Sequence, residues 1–181
     1  MSQDELLLCF DHLGNQIDPQ TRSVVHTKPY HIWHGVTAIW VFNNKKEILC
    51  TKRSEKNEGN PGKWQTYVGG HVKSNQTFLD AAIAELGEEL GLTVSADRLF
   101  IIDQKKREDV MHVVSQYGLL FDKPLSSLSF ADGEISSASW ISFEEYNRQK
   151  QEQPDAWCNS MSTDDYQKAM EIIAKRGIGI D

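Results

Sequence analysis

The sequence contains few cysteines and no excess of positive charge. Only three of its 181 residues are cysteine, namely Cys9, Cys50 and Cys158. An odd number at irregular spacing argues against a disulfide framework and a zinc cluster, so a reducing compartment is expected. Acidic residues outnumber basic residues by 26 to 19, which gives a net charge of −7. Because counterion release favours basic proteins on long polyanions, we expect no nucleic-acid partner, and an anionic substrate would need a local cation to attract it.

Long hydrophobic runs are also missing. The apolar run at residues 6–10 is short and follows Asp4 and Glu5 instead of basic residues, which is not the pattern of a signal peptide. No segment has the ~20 consecutive apolar residues of a membrane span. A length of 181 residues suits one domain, which at this size buries about 70% of the surface of the unfolded chain. We therefore expect a single-domain cytoplasmic protein with no membrane partner.

The pattern of apolar residues and turn residues predicts an α/β fold with a mixed sheet. Runs of β-prone residues between turn signals predict strands, and a 3.6-residue period predicts helices. The predicted strands cover residues 6–10, 35–42, 47–53, 64–72, 99–103, 110–121 and 134–141. The predicted helices cover residues 77–90, 143–151 and 163–176.

The helix predicted at residues 77–90 has the clearest signals at both of its ends. Thr77 and Asp80 have the spacing of a capping box. Gly91 lies where a C-terminal glycine cap is expected. The apolar residues of this segment fall within one stripe of the helix surface, which predicts a face that packs on the sheet. These residues are Leu79, Ile83, Leu86 and Leu90.

Three glutamates share another face of the same helix. At about 100° per residue, Glu88 and Glu89 fall near −60° and +40° relative to Glu85. Like charges at these spacings destabilise a helix by a few tenths of a kcal/mol per pair, and a hard divalent cation would relieve the repulsion. An ordinary solvated acidic face is the alternative. The glycine pair Gly69 and Gly70 precedes the helix and permits close backbone approach, which favours a site.

The glycine, the glutamates and a closing glycine stand at fixed spacing over residues 70–92. The residues at the fixed positions are Gly70, Gln76, Ala84, Glu85, Leu86, Glu88, Glu89, Gly91 and Leu92, and Gly87 and Leu90 occupy variable positions between them. This pattern resembles the Nudix box, and the preceding segments 61–64 and 69–72 are also similar to Nudix sequences. The resemblance implies one Nudix-type domain over residues 1–181, a mixed β-sheet sandwiched between helices. Residues 1–33 would form an N-terminal strand extension, and residues 143–181 would form C-terminal helices.

Two positions differ from the Nudix box. The family has Glu and Arg where this chain has Gln76 and Ala84. In the family these two residues pair with each other and help to hold the catalytic loop and helix. Because both partners are replaced together, this chain would lack that one salt bridge. The resemblance therefore implies retained metal binding, with Glu85 held by fewer contacts.

The resemblance implies hydrolysis of a diphosphate linked to another moiety, a nucleoside diphosphate or a prenyl-type diphosphate, with Mg²⁺ or Mn²⁺ as cofactor. By motif position, Glu85 would orient or deprotonate the water. Glu88, Glu89 and the carbonyl of Gly70 would ligate the metal. Many Nudix proteins use another carboxylate from a later loop, and Glu134 is the candidate here. Metal ions and positioning account for most of phosphoryl-transfer catalysis, which agrees with this reading.

Four cationic or imidazole side chains are candidates for contacting the substrate. His34 and His71 flank the expected site, and His71 can donate a hydrogen bond to phosphate. Lys52 and Arg53 lie at the end of a predicted strand, and arginine offers a bidentate fork to phosphate. A buried or solvated structural role is the alternative for each of them.

Features outside the box resemble the Nudix subgroup related to isopentenyl diphosphate isomerase. They include Arg22, His26, His34, the segment 52–54, Trp140 and Trp157.

The isomerase needs a cysteine where this chain has Gly69, and its later glutamates would fall near Val114 and Gln116. Isomerase activity is therefore not expected. An isomerase-like enzyme and a weakly catalytic diphosphate-binding Nudix domain remain the alternatives to a hydrolase.

Overall fold

The computed structural model describes residues 4–57, 59–131, 133–158 and 161–176. Its strands are β1 (Leu6–Phe10), β2 (Gln16–Thr21), β3 (Trp33–Phe42), β4 (Ile48–Arg53), β5 (Trp64–Gln65), β6 (Leu99–Arg107), β7 (His112–Leu120) and β8 (Ile135–Ile141). Its α-helices are α1 (Arg22–Val25), α2 (Phe78–Leu90), α3 (Phe143–Glu152) and α4 (Thr163–Lys175).

The strand β3 lies at the centre of a mixed eight-stranded sheet. It pairs in parallel with β7, from His34 opposite His112 to Phe42 opposite Leu120. It pairs antiparallel with β1 and with β4. The strand β6 extends the sheet beyond β7, and β8 and β5 flank β4. The long parallel pair places matching residues of β3 and β7 side by side on the same face.

Alternate residues of β3 face opposite sides of the sheet. Ile39 and Val41 pack on one side with buried residues of α2. Trp40 and Phe42 pack on the other side with buried residues of α3 and α4. The predicted mixed sheet sandwiched between helices is therefore confirmed.

The helix α2 begins and ends as the sequence predicts. The Asp80 backbone nitrogen donates to Thr77 Oγ1 at 3.1 Å, and the Thr77 nitrogen donates to Asp80 Oδ2 at 3.0 Å. This is a complete capping box. Gly91 adopts a left-handed conformation with φ 67°, and its nitrogen donates to the Gly87 carbonyl. The predicted apolar stripe packs on the sheet through Leu86 and Leu90, which are fully buried, with Leu79 and Ile83 at the edge of the same cluster.

The N-terminal part contains two elements that the apolar pattern does not predict. The strand β2 pairs antiparallel with β1 at the edge of the sheet. Most of its side chains are exposed and it contains Pro19, so it lacks the alternation that marks a half-buried strand. The helix α1 has only four residues, too few for a 3.6-residue period to be visible.

The strand predicted at residues 64–72 is only partly regular. The strand β5 covers its first two residues, and Val68 and His71 then form isolated bridges to β3. Gly69 lies between these bridges with φ 150°. Residues 177–181, which end the predicted C-terminal region, lie outside the described residues.

The cysteines and the helices bear on the environment of the chain. Cys9, Cys50 and Cys158 are all buried free thiols, as expected for a chain without a disulfide framework. Within the described ranges, no helix combines the length and the apolar character needed to cross a membrane.

Gly87→Ala is expected to stabilise the protein by about 0.5–1 kcal/mol. Gly87 is exposed within α2, and a Cβ atom there would meet only the Leu92 carbonyl, at 3.7 Å. Alanine therefore gains helix propensity without a clash. Urea unfolding of the metal-free protein measures the change. A lower free energy of unfolding than that of the parent protein would contradict the prediction.

Candidate active site

The three glutamates of α2 occupy different environments beside the glycine pair. Glu89 is buried, with 5% of its surface exposed, and its Oε1 accepts a hydrogen bond from the Gly69 nitrogen at 2.8 Å. Glu88 is exposed. The carboxylate of Glu85 lies against Gly70, where a Cβ atom would come within 2.7 Å of the Glu85 Cδ. The irregular strand and the carboxylate face of α2 therefore meet at one place.

The surroundings of Glu85 disfavour its charged form. Burial, followed by the charges of Glu88 and Glu134, raises the pKa of Glu85 to about 7. Lys73 acts in the opposite direction. Glu134 directly precedes β8, and its effect on this pKa indicates that the later carboxylate lies near the helix face.

The oxygen atoms gathered here are suited to a hard divalent cation. Burial first, and then the charges of Glu88 and Glu134, disfavour the ionised form of Glu85, and a bound cation would offset that cost. The Gly70 carbonyl accepts a hydrogen bond from the Thr37 nitrogen at 2.9 Å. A carbonyl oxygen has a second lone pair, so this bond leaves it able to ligate a metal.

The loop between the glycine pair and α2 is held without the family's Glu–Arg pair. Gln76 Oε1 accepts from the Lys73 nitrogen at 3.2 Å, and the Gln76 nitrogen donates to the Lys73 carbonyl at 3.0 Å. Lys73 Nζ also pairs with Glu5 Oε1 at 3.3 Å. Sequence reasoning missed Lys73, although it is the one Lys or Arg residue between Gly70 and Leu92. Backbone contacts and a bridge to the N-terminal segment thus replace the missing pair.

A cavity of about 450 Å³ lies on the face of the sheet opposite α2. Arg53 forms part of the cavity wall. Its Nε donates a hydrogen bond to the Gly59 carbonyl at 2.7 Å, and its Nη1 donates to Gln65 Oε1 at 3.2 Å. These bonds fix the guanidinium group. The lining residues are His26, Tyr30, Arg53, Gly59, Asn60, Gln65, Tyr67, His71, Val110, His112 and Cys158.

The structure therefore brings two of the four predicted substrate-binding residues to this cavity. Arg53 and His71 line this cavity together. Lys52 is half-buried on β4 and does not line it. His34 is fully buried, so a substrate would reach it only if neighbouring histidines moved.

Three histidines lie side by side at the edge of the cavity. Potential ligand nitrogens of His26, His34 and His71 lie within 4.8 Å of one another. Arg22 Nη1 lies 3.0 Å from His71 Nδ1, and the Nε2 atoms of His71 and His26 are 3.0 Å apart. Because arginine only donates, His71 Nδ1 must accept, and its Nε2–H then donates to His26. In this arrangement His71 has no lone pair for a metal.

Three of these side chains, His34, His71 and His112, are held in their neutral form. Burial, followed by the Arg22 charge, lowers the pKa of His71 well below its ordinary value. Burial also lowers the pKa of His34 to about 4 and that of His112 to about 3. His112 faces His34 with ring centroids 4.6 Å apart. Sequence reasoning missed His112, because its position depends on the register between β3 and β7.

The positions that would matter for isomerase chemistry do not provide its groups. Gly69 has φ 150°, and a Cβ atom there would overlap the carbonyl oxygen of Thr37. A cysteine would therefore strain the backbone. Val114 and Gln116 lie on β7 and line a second cavity, and neither side chain offers a carboxylate.

Comparisons with known proteins identify relatives of the chain. The family model described as NUDIX domain matches residues 33–158. Nudix hydrolase 3 of Arabidopsis thaliana is 25% identical over 155 residues, which cover 80% of this chain and 20% of that protein. Isopentenyl-diphosphate Delta-isomerase of Corynebacterium glutamicum strain R is 32% identical over 92 residues, covering 51% of this chain and 48% of the relative. The chain thus spans about a fifth and about a half of these relatives.

A solved structure shares the fold. The crystal structure of DR0079 from Deinococcus radiodurans superposes with a TM-score of 0.68 at 19% sequence identity. The match covers 82% of this chain and 90% of the other. At this level of identity the likeness concerns the fold.

Proposed function

The chain belongs to the Nudix family, and we propose that it is a Mg²⁺-dependent hydrolase that cleaves a diphosphate linked to another moiety. The observation that carries the proposal is the position of Glu85. Its carboxylate lies against Gly70 and has a pKa raised to about 7 by burial and by neighbouring carboxylates. A group with a pKa near the working pH is suited to general-base catalysis.

Oxygen ligands for the cofactor are available around Glu85. We assign Glu88, Glu89, Glu134 and the Gly70 carbonyl as the groups that hold Mg²⁺ or Mn²⁺. Such an ion supplies neutralisation of the phosphate charge and lowers the pKa of water. Glu85 orients the attacking water and accepts its proton.

The cavity lined by Arg53 and His71 supplies groups for an anionic substrate. Arg53 is held by two hydrogen bonds at the cavity wall and can bind phosphate through its remaining N–H groups. His71 lines the same cavity. We retain Lys52 and His34 as more distant candidates, Lys52 from β4 and His34 from behind His71. The substrate is a small-molecule diphosphate.

Two alternatives have specific observations in their favour. Similarity to isopentenyl-diphosphate Delta-isomerases favours an isomerase-like enzyme, but the backbone at Gly69 opposes it. Gln76 and Ala84 favour a weakly catalytic binding domain. Against that reading, a binder gains nothing from crowding Glu85, Glu88 and Glu89. The three buried free thiols suit a reducing compartment, and we propose the cytoplasm.

Phosphate release from a library of diphosphates, measured with and without Mg²⁺, tests the hydrolase proposal directly. We expect release from at least one compound only when the divalent cation is present. A library of nucleoside diphosphates and prenyl diphosphates covers both substrate types. Absence of release from every compound at millimolar Mg²⁺ and Mn²⁺ would contradict the proposal and favour a binding domain.

Adding Mg²⁺ or Mn²⁺ to chelator-treated protein should raise its melting temperature. A ligand that binds only the folded state adds about 2.7 kcal/mol at a hundredfold excess over its dissociation constant. Glu89→Gln should reduce the shift, because it removes the charge of one assigned ligand. Glu144→Gln, at an exposed position in the first turn of α3, is the matched control and should keep the full shift. Unchanged melting with Mg²⁺, Mn²⁺ and Ca²⁺ would count against a preformed site.

A further inference from the structure

Lys73 places a positive charge beside the carboxylate face of α2. This face consists of Glu85, Glu88 and Glu89. The charge of Lys73 acts on two of these glutamates, Glu85 and Glu88. Its Nζ also lies 3.3 Å from Glu5 Oε1. The ammonium group is therefore shared between the carboxylate face and an acid of the N-terminal segment.

We propose that Lys73 limits the affinity of the carboxylate face for a divalent cation, and that Glu5 is a positioning residue that holds the Lys73 ammonium group away from this face. The inference rests on the proposed function, since it takes the carboxylate face as the metal site. A positive charge near the ligands repels an incoming cation. The lysine ammonium group is a point charge on a flexible stem, so its effect depends on which acid it faces.

Glu5 is the acid that binds the ammonium group more strongly. The hydrogen bond to Glu5 and the charge of Glu5 are the largest causes of the raised pKa of Lys73, and the charges of the α2 glutamates contribute less. The backbone of Glu5 is held in place, because its carbonyl accepts a hydrogen bond from the Arg22 nitrogen at 2.9 Å. Its side chain is 17% exposed, against 43% for that of Lys73. Glu5 thus draws the ammonium group toward the N-terminal segment.

The main chain around Lys73 is held independently of its side chain. The Leu8 nitrogen donates to the Val72 carbonyl, and the Ser74 nitrogen donates to the Leu6 carbonyl, both at 2.9 Å. A substitution of the Lys73 side chain removes neither of these backbone hydrogen bonds. The charge at this position can therefore be changed while β1 continues to hold the loop.

Isothermal titration calorimetry with Mg²⁺ alone tests the role of Lys73 on the full chain, after treatment with chelator and dialysis. Lys73→Met should bind Mg²⁺ about three- to tenfold more tightly than the parent protein, the size that Coulomb's law gives for one charge acting on a divalent cation through a largely aqueous medium. Lys73→Arg keeps the charge and should bind as the parent protein does. Lys45→Met, in the exposed turn between β3 and β4, is the matched control and should leave the affinity unchanged.

Glu5→Gln tests the role of Glu5 in the same titration. Without the charge of Glu5 the ammonium group turns toward the carboxylate face, so Mg²⁺ binding should weaken about threefold. In protein that also carries Lys73→Met, the same substitution should change the affinity by less than about twofold, because no ammonium group remains. A bridge that only holds the loop gives a different pattern, in which each single substitution weakens binding.

Melting curves supply a second signature of a competing charge. In chelator, Lys73→Met should melt at a slightly lower temperature than the parent protein, because the crowded carboxylates lose a neutralising charge. The rise in melting temperature on adding Mg²⁺ should be larger for Lys73→Met than for the parent protein, because tighter binding to the folded state stabilises it more. Circular dichroism establishes that each variant is folded.

Three results would overturn the inference. They are Mg²⁺ binding by folded Lys73→Met that is no tighter than that of the parent protein, an effect of Glu5→Gln that is as large with Lys73→Met as without it, and the absence of Mg²⁺ binding in every variant. Hydrolysis by the parent protein is measured separately. If the affinities follow the expected pattern but no diphosphate is hydrolysed, the hydrolase proposal fails while the role of Lys73 stands.

Discussion

Glu85→Gln is expected to lower the turnover of a diphosphate substrate by about 10²–10⁴-fold, the usual effect of losing a general base. The change is nearly isosteric and keeps a hydrogen-bonding group, so the fold should be retained. Glutamine cannot accept the proton of the attacking water. Steady-state rates measured across a Mg²⁺ titration give kcat for each variant, and the defect of Glu85→Gln should persist at saturating Mg²⁺.

Two other variants separate the loss of a base from the loss of a metal ligand. Glu89→Gln should weaken metal binding, so its defect should become smaller as Mg²⁺ rises. Glu144→Gln should leave the rate unchanged, because this exposed residue on α3 is outside the site. If Glu85→Gln retains full activity, Glu85 is not the base, and Glu134 becomes the next carboxylate to test.

The same substitution should alter the pH dependence of stability in metal-free protein. Burial and the neighbouring carboxylates raise the folded-state pKa of Glu85 from 4.5 to about 7. Between these values the folded state binds more protons than the unfolded state, so the free energy of unfolding falls as pH rises. Glu85→Gln removes this contribution and should flatten the decline. Urea unfolding in chelator from pH 4.5 to pH 7 provides the comparison.

Gly69→Cys should destabilise the fold and should not create isomerase activity. With φ 150°, Gly69 holds a backbone conformation that side chains rarely adopt, and the new Cβ would overlap the Thr37 carbonyl oxygen. Strain of this kind costs about 1–3 kcal/mol. It would also displace the Gly69 nitrogen from Glu89, so metal affinity should fall. Urea unfolding measures the first effect, and NMR analysis of isopentenyl diphosphate after incubation measures the second.

Gly87→Cys is the matched control, since it places the same side chain at an open position of α2. It should leave stability close to that of the parent protein. A stable Gly69→Cys protein that converts isopentenyl diphosphate to its allylic isomer would contradict both parts of the prediction. That result would also favour the isomerase-like alternative over the hydrolase.

The elements that can be predicted from the sequence are those marked by signals in neighbouring residues. The helix α2 is predicted with both caps because Thr77, Asp80 and Gly91 act within one or two turns. The shared face of its glutamates follows from helix geometry alone. The strand β2 is not predicted because it is an exposed edge strand. It is stabilised by pairing with β1 and has no apolar pattern of its own.

The candidate site is less predictable, because its contacts join distant segments. Glu5 meets Lys73, and His112 meets His34, only through the register of the sheet. Gln116 has no local signal that distinguishes it from a surface glutamine. Its environment depends on the capped N-terminus of α4, which brings Asp165 to the same cavity. The sequence thus predicts the carboxylate face of α2 better than the contacts around the cavities.

The contacts around the cavities cross the boundaries of the matched domain. Arg22 and His26, which hold His71, precede residues 33–158, and Asp165, which fixes Gln116, follows them. A fragment trimmed to the matched range would keep the glutamates of α2 but lose Arg22, His26 and Asp165. The recognisable domain is therefore smaller than the set of segments that shape the two cavities, and protein prepared for ligand screening should include both flanking segments.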